Sequence, residues 1–340
     1  MKKNLDNYTI IKFGKNNEIK STKKSFCPNK YLYISSFIIL LLIIIFIFSK
    51  NYEKMIFENL EQFEPDVYNN IKKIIEENKC SIMWKNQKEF LNGIVRKFKP
   101  KKIIEIGVDR GGSSAIILNA IESSKNSHLY SIDISNSSNV GYCVNHYFSQ
   151  FTMKWTLFKG NIASKFMDKI GKGIDMAFFD SSHFEPGEIL DFLIVLPFLK
   201  EEAIIVFHDI GNQINFSGEK GTRHEWVPYI IFNLIRGKKF YPSGDNILIQ
   251  DIGAIKLEKN QNRFIYDYFR ALGGQWEYFL NEEDINLTRD FIKKYYDELC
   301  LSIFDEAIKF NRYFVKNNPK INYYTSEAWE NKYKFKIKNN

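Results

Sequence analysis

The chain has 340 residues, 44% of them hydrophobic and 16% aromatic, an ordinary globular balance with room for one large domain or two modest ones. The formal charge of +8 comes from scattered lysines rather than a basic stripe interleaved with aromatics, so nucleic acid is not expected as a partner. Cys27, Cys80, Cys143 and Cys300 are widely spaced, no pair has metal-ligand spacing, and a chain of this length needs no disulfide framework, so isolated reduced thiols are expected.

In chain order, residues 1–30 are polar and without period, a composition expected to stay disordered. Tyr31 to Phe48, "YLYISSFIILLLIIIFIF", carries no charge and is bracketed by Lys30 and Lys50. At ~1.5 Å per residue such a run nearly spans a ~30 Å hydrocarbon core. Residues 31–49 are therefore expected to be a single-pass transmembrane helix, with the lipid bilayer as a partner. No small-x-small cleavage site follows the run, which argues against a signal peptide. Residues 50–84 read as a helical stalk, broken near Pro65, and Asn86–Phe98 as an amphipathic helix.

From Lys102 short apolar runs alternate with helical segments. The strand candidates are Ile103–Ile106, Leu129–Ile132, Trp155–Phe158, Met176–Phe179 and Ile204–Phe207. Helices are expected over Ser113–Ser123, near 139–150, over Ala163–Ile170 and over Gly187–Leu199. Apolar strands separated by helices imply a parallel sheet covered on both faces. A helix over Trp226–Ile235 is followed by strand candidates Asn246–Gln250 and Ala254–Leu257, whose short link implies an antiparallel end to the sheet. Beyond Glu258 only helices are expected, over "FIYDYFRAL" and Glu282–Val315. The domains expected are thus a tail (1–30), a transmembrane helix (31–49), a stalk (50–84), a sheet domain (85–258) and a C-terminal helical extension (259–340).

The first strand feeds a turn, "EIGVDRGGSS". Its glycines, Gly107, Gly111 and Gly112, spell G-x-x-x-G-G. The dinucleotide fingerprint needs a further glycine where Asp109 stands, and a P-loop needs Gly-Lys-Ser/Thr where the chain has "GGSS". Gly107 permits a sharp turn, Gly111 and Gly112 a close backbone approach to a ligand, and Ser113 and Ser114 a helix cap. Glu105 lies inside an apolar strand, where a carboxylate needs donors, an ammonium group being one candidate. Asp133 ends the second strand, where an acid can accept ribose hydroxyls, which argues for an adenosine ligand without a 2′-phosphate. Asn161 follows the third strand and has a helix-cap reading beside any ligand role.

The fourth strand ends in "FFDSSHFEPGE" and the fifth in "VFHDIG". In an open parallel sheet both ends face one crevice, which gathers Asp180, His183, His208 and Asp209. A histidine there can act as a base near neutral pH, or Asp180 and Asp209 can bind Mg²⁺. Each residue alone has a structural reading: Asp180 as a solvated strand end, His208 as a hydrogen-bonding histidine. Glu185 and Glu188 read as the start of a helix. In the polar loop after the fifth strand, His224, Glu225 and Trp226 are candidates for acceptor contact, Trp226 also for a helix anchor.

The segments "EIGVDRGGSS", "YSIDIS", "FKGN", "IDMAFFDSSH" and "AIIVFHDIG" stand in the order found in class I S-adenosylmethionine-dependent methyltransferases. Over about residues 85–258 the chain resembles that family, most of all the branch of the cephalosporin hydroxylase and macrolide-sugar O-methyltransferase families. The resemblance implies an α/β fold: a Rossmann-like, doubly wound, mostly parallel seven-stranded sheet with an antiparallel last strand. It implies that Glu105, Gly107 and the turn Gly111, Gly112, Ser113 hold the methionine part of S-adenosyl-L-methionine, Asp133 the ribose, and that Asn161 lies near the adenine. Catalysis would fall to Asp180, His183, His208 and Asp209, with Mg²⁺ on Asp180 and Asp209 as an option and a glycan or small hydroxylated molecule as acceptor. A methyltransferase-like scaffold without turnover is the alternative, and an NAD-dependent oxidoreductase is disfavoured by the missing glycine. Lys20, Lys23, Lys24 and Lys30 before the apolar run outnumber Lys50 and Lys54 after it, which places the domain outside, whereas cofactor supply favours the cytosol.

Overall fold

Alternate residues of the central strands point to opposite faces, so a strand apolar at every position must be covered twice. The computed structural model describes residues 58–60, 65–182, 184–211, 226–243, 250–276, 278–317 and 324–325. In it, Ile103, Leu129, Met176, Ile204 and Val206 are buried in one core cluster, and Ile104, Ile132, Ala177, Ile205 and Phe207 in another.

The elements run in chain order as β1 (Glu58–Leu60), α1 (Pro65–Glu77), α2 (Lys85–Phe98), β2 (Lys102–Ile106), α3 (Gly112–Ala120), β3 (His128–Asp133), α4 (Tyr142–Tyr147) and β4 (Trp155–Lys159). There follow β5 (Ile174–Phe179), α5 (Gly187–Val195), β6 (Leu199–His208), α6 (Trp226–Leu234), β7 (Gly237–Pro242) and β8 (Ile252–Leu257). Helices α7 (Ile265–Arg270), α8 (Glu282–Tyr295) and α9 (Glu298–Asn317) follow, and β9 (Tyr278–Phe279) pairs in parallel with β10 (Tyr324–Thr325), two short strands where only helices were expected. The sheet order is β1-β7-β8-β6-β5-β2-β3-β4. Every pairing is parallel except those of β8, which is antiparallel to both β6 and β7. The seven strands β2–β8 match the expected doubly wound sheet, and β1 adds an eighth at the edge.

Helices α1–α4 cover one face and α5–α9 the other. Helix α3, "GSSAIILNA", is buried along its whole length. Asn92 on α2 fixes it, donating to Ile116 O at 3.0 Å and Asn119 Oδ1 at 3.0 Å. The expected stalk helix contributes Ile71 and Ile75 to the same cluster, and the C-terminal helices contribute Ile285, Phe291, Ile292, Phe304 and Ile308 to the other.

Four expectations are corrected. Among the described residues no helix is long and apolar enough to cross a membrane; residues 31–49, on which that expectation rested, lie outside them. The fold class of the described residues is therefore the α/β sheet with its covering helices, none of them able to span a membrane, and the single-pass membrane localisation is not retained. Of the expected strand Asn246–Gln250, Gln250 lies outside any element and residues 246–249 are not described, while β8 pairs with a strand that was not expected, Gly237–Pro242. Its sequence, "GKKFYP", hides a strand behind two lysines, yet Lys239 is buried with its ammonium on Asn233 O at 3.1 Å. Finally, Cys80 and Cys143 are joined by a disulfide, and only Cys300 is free among the described residues.

Candidate functional site

Gly107 leaves β2 with φ +89°, and a Cβ there would lie 1.9 Å from Asp180 O. Gly111 has φ +86° and rests on Gly141, while a Cβ on Gly112 would lie 2.3 Å from Cys80 O. The glycines therefore let three backbone segments close on one another: the end of β5, the start of α4 and the chain before α2. The turn is further tied by Gly141 N donating to Asp109 O and Cys143 N to Arg110 O, both at 2.8 Å. Arg110 turns away from the strand ends, donating to Lys79 O at 3.1 Å with its guanidinium over the Tyr142 ring.

Glu105 has no exposed surface. Its partners among the described residues are three hydroxyls: Ser113 Oγ at 2.6 Å, Ser114 Oγ at 2.6 Å and Ser131 Oγ at 2.5 Å. Ser113 and Ser114 thus bind the acid beneath the turn instead of capping α3, whose N-cap is Gly111 without a side-chain bond. Burial, only partly offset by these hydroxyls, pushes the Glu105 carboxyl up to about 7. Ser131 escapes sequence reasoning because its relation to Glu105 is one of strand register, the two being direct partners across β2 and β3.

Asp133, at the end of β3, accepts Val108 N and Asp109 N on Oδ2, both at 3.0 Å, and Ser135 N on Oδ1 at 2.8 Å. It binds the two amides that follow Gly107 and so shapes the turn from the neighbouring strand. Ile134 beside it is an exposed aliphatic side chain. Asn161, half-buried past β4, turns its Oδ1 back to Ile162 N at 3.1 Å.

At the ends of β5 and β6, Asp180 and Asp209 flank His208. Nδ1 of the imidazole lies 3.3 Å from Asp180 Oδ1 and 3.1 Å from Asp209 Oδ2. The three groups offer ligand atoms within 4.8 Å of one another. His208 is buried, and its Nε2 has no hydrogen-bond partner among the described residues. Burial disfavours its charge, but the two carboxylates outweigh that and hold its pKa well above the usual value. The two carboxylates thus favour the protonated, donating ring. His183, His224 and Glu225 lie outside the described residues; Trp226 opens α6 half-exposed, with Tyr229 edge-on to it.

Sequence reasoning missed Asp251. It stands just before β8 and accepts Gly211 N on Oδ1 at 2.9 Å and Gln87 Nε2 on Oδ2 at 3.1 Å. Burial first, and then Asp209, push its carboxyl up to about 7. Assigning "DIG" to a link between two strands concealed it, and the only signal was an acid at the mouth of an apolar strand.

Residues 104–210, which hold the turn, Asp133, Asp180 and the His208–Asp209 pair, match the family described as "Methyltransferase domain". Over those residues, less than half of the chain, it is similar to that family. Solved structures with a similar fold include the O-methyltransferase TomG from Streptomyces achromogenes, in complex with SAM. It is 15% identical, with 57% of this chain and 91% of that chain covered and a TM-score of 0.42. An O-methyltransferase from Bacillus cereus in complex with SAH is 12% identical, covering 57% and 92%, with a TM-score of 0.43. The SAH-bound methyltransferase of Podospora anserina is 12% identical, covering 71% and 100%, with a TM-score of 0.41. No curated protein matches the chain in sequence.

Proposed function

We propose that the chain is an S-adenosylmethionine-dependent methyltransferase that methylates a hydroxyl of a small-molecule acceptor, a glycan among the candidates. The observation that carries the reading is the charge of the crevice at the strand ends. Asp133, Asp180 and Asp209 stand there and Asp109 is in the turn itself; of the cations, His208 is shared by Asp180 and Asp209, while Arg110 is directed away to Lys79 O and Lys159 to Ser137 O. Such a site suits a sulfonium cation and repels the pyrophosphate of a dinucleotide. The match to a methyltransferase domain supports the same choice.

In this reading the turn from Gly107 to Ser113 shapes the cradle for the methionine part, with Glu105 acting from beneath by fixing both serines that open α3. A carboxylate has about four lone-pair sites. Three on Asp133 are taken by amides, which leaves Oδ1 room for a ribose hydroxyl, and Ile134 offers an apolar face to the adenine. Asn161 borders that end. The acceptor hydroxyl meets the methyl group beside Asp180, with His183, His224, Glu225 and Trp226 as its further candidate contacts. Catalysis then rests on aligning the hydroxyl in line with the sulfonium and drawing off its proton.

The residues present fit a divalent cation such as Mg²⁺ or Mn²⁺. Ligands on neighbouring positions of an octahedral ion stand ~3 Å apart, given metal–oxygen distances of about 2.1 Å, and His208 Nδ1 is 3.1 and 3.3 Å from its two carboxylates. Asp180, Asp209 and His208 would hold the ion, which would supply Lewis acidity to the acceptor oxygen. Without it, the His208 imidazolium balances both carboxylates and orients them.

Calorimetric titration of the chain with S-adenosylmethionine and with NAD tests the proposal. Binding of the first and not the second is expected; NAD binding, or no uptake of S-adenosylmethionine, would overturn it.

A further inference from the structure

We infer that Asp251 is a positioning residue for Asp209, strapping the chain that leaves β6 to the start of α2. The inference rests on the reading that Asp180, His208 and Asp209 hold a divalent cation.

Asp209 has φ +57°, a left-handed conformation that a non-glycine residue keeps only when its surroundings hold it. The two residues after it are both tied to Asp251: Ile210 N donates to its backbone O at 3.3 Å and Gly211 N to its Oδ1 at 2.9 Å. A Cβ on Gly211 would lie 2.7 Å from Gln250 O, so the two chains are pressed together there. The other carboxylate oxygen takes Gln87 Nε2, and Gln87 Oε1 in turn accepts Trp84 N at 2.5 Å. Asp251 and Gln87 are 6% and 2% exposed, so solvent cannot replace these bonds. Three segments far apart in sequence thus meet on one carboxylate, directly behind Asp209.

Acids that buttress metal ligands in this way are an ordinary part of metal sites.

The test is Mn²⁺ binding to the full chain, read from the free-ion signal in electron paramagnetic resonance, with S-adenosylmethionine affinity as a control for folding. Wild type should take up Mn²⁺ and D209A should lose it. D251A should bind Mn²⁺ about 10- to 100-fold more weakly at unchanged cofactor affinity. D251N keeps an acceptor for Gly211 and should recover part of the loss, and Q87L should weaken binding several-fold. If D251A and Q87L bind Mn²⁺ as wild type does while D209A does not, the strap is structural only and the inference falls. If D251A does not fold, Q87L decides alone, and wild-type affinity in it overturns the inference. Failure of wild type to bind Mn²⁺ brings down the cation reading itself, and the inference with it.

Discussion

Glu105 shows how a single carboxylate can be visible in the sequence while its role is not. An acid in an apolar strand demands partners, but which ones depends on the neighbouring strand and on the first turn of α3. Because its folded pKa is raised from 4.5 to about 7, the folded chain binds more protons than the unfolded chain between those values. Stability should therefore fall as pH rises through that window, by roughly 3 kcal/mol from this group. Thermal melts of wild type and Glu105→Gln across pH 4.5 to 7.5 check this. The variant should lose that part of the slope; an unchanged slope would show that Glu105 titrates normally. Gly107 is the opposite case: its sharp turn was legible, and the backbone neighbour at its Cα, Asp180 O, was not. Gly107→Ala, forced against Asp180 O, should lower stability by on the order of 3 kcal/mol, measurable by urea denaturation.

Among the elements, long periodic helices were legible, as were β2, β5 and the second half of β6, where burial on both faces leaves an uninterrupted hydrophobic run; β4, half-buried at the sheet edge, was legible from its apolar run alone. Strand β7 was not, since its lysines place aliphatic stems in the sheet and ammonium groups at its margin. The disulfide was equally hidden: Cys80 and Cys143 are 63 residues apart and meet only because the chain between α1 and α2 folds over α3. Both half-cystines touch the glycine turn, Cys80 through its carbonyl on Gly112 and Cys143 through its amide on Arg110 O. Cys143→Ser should reduce stability by about 2–4 kcal/mol and weaken S-adenosylmethionine binding. Cys300→Ser, buried on the other face, should leave cofactor affinity unchanged. Equal cofactor affinity in the Cys143→Ser and wild-type chains would show that the bridge does not support the turn.

For the whole molecule, the helices beyond Glu258 pack into the core of the sheet. Phe291, Ile292, Phe304 and Ile308 of α8 and α9 share a core cluster with Leu193, Phe198 and Phe207. Burying side chains of this kind is worth about 1.5–3 kcal/mol each, so losing several exceeds much of a typical folding stability of about 5–15 kcal/mol. A chain ending at Glu258 should fail to fold, and a cooperative melt in that truncation would contradict a shared core. The mostly parallel sheet with its antiparallel end could be read from the lengths of the connecting segments; the strand order could not. What Asp251 does could not, because it arises where β6, β8 and α2 converge. The central claim is that the acidic crevice at the strand ends binds a sulfonium-bearing adenosine cofactor. A crystal structure of the chain with S-adenosylhomocysteine tests it most directly. The account predicts the ribose on Asp133 and the sulfur facing Asp180 and Asp209; a cofactor bound elsewhere, or a crevice that excludes it, would contradict it.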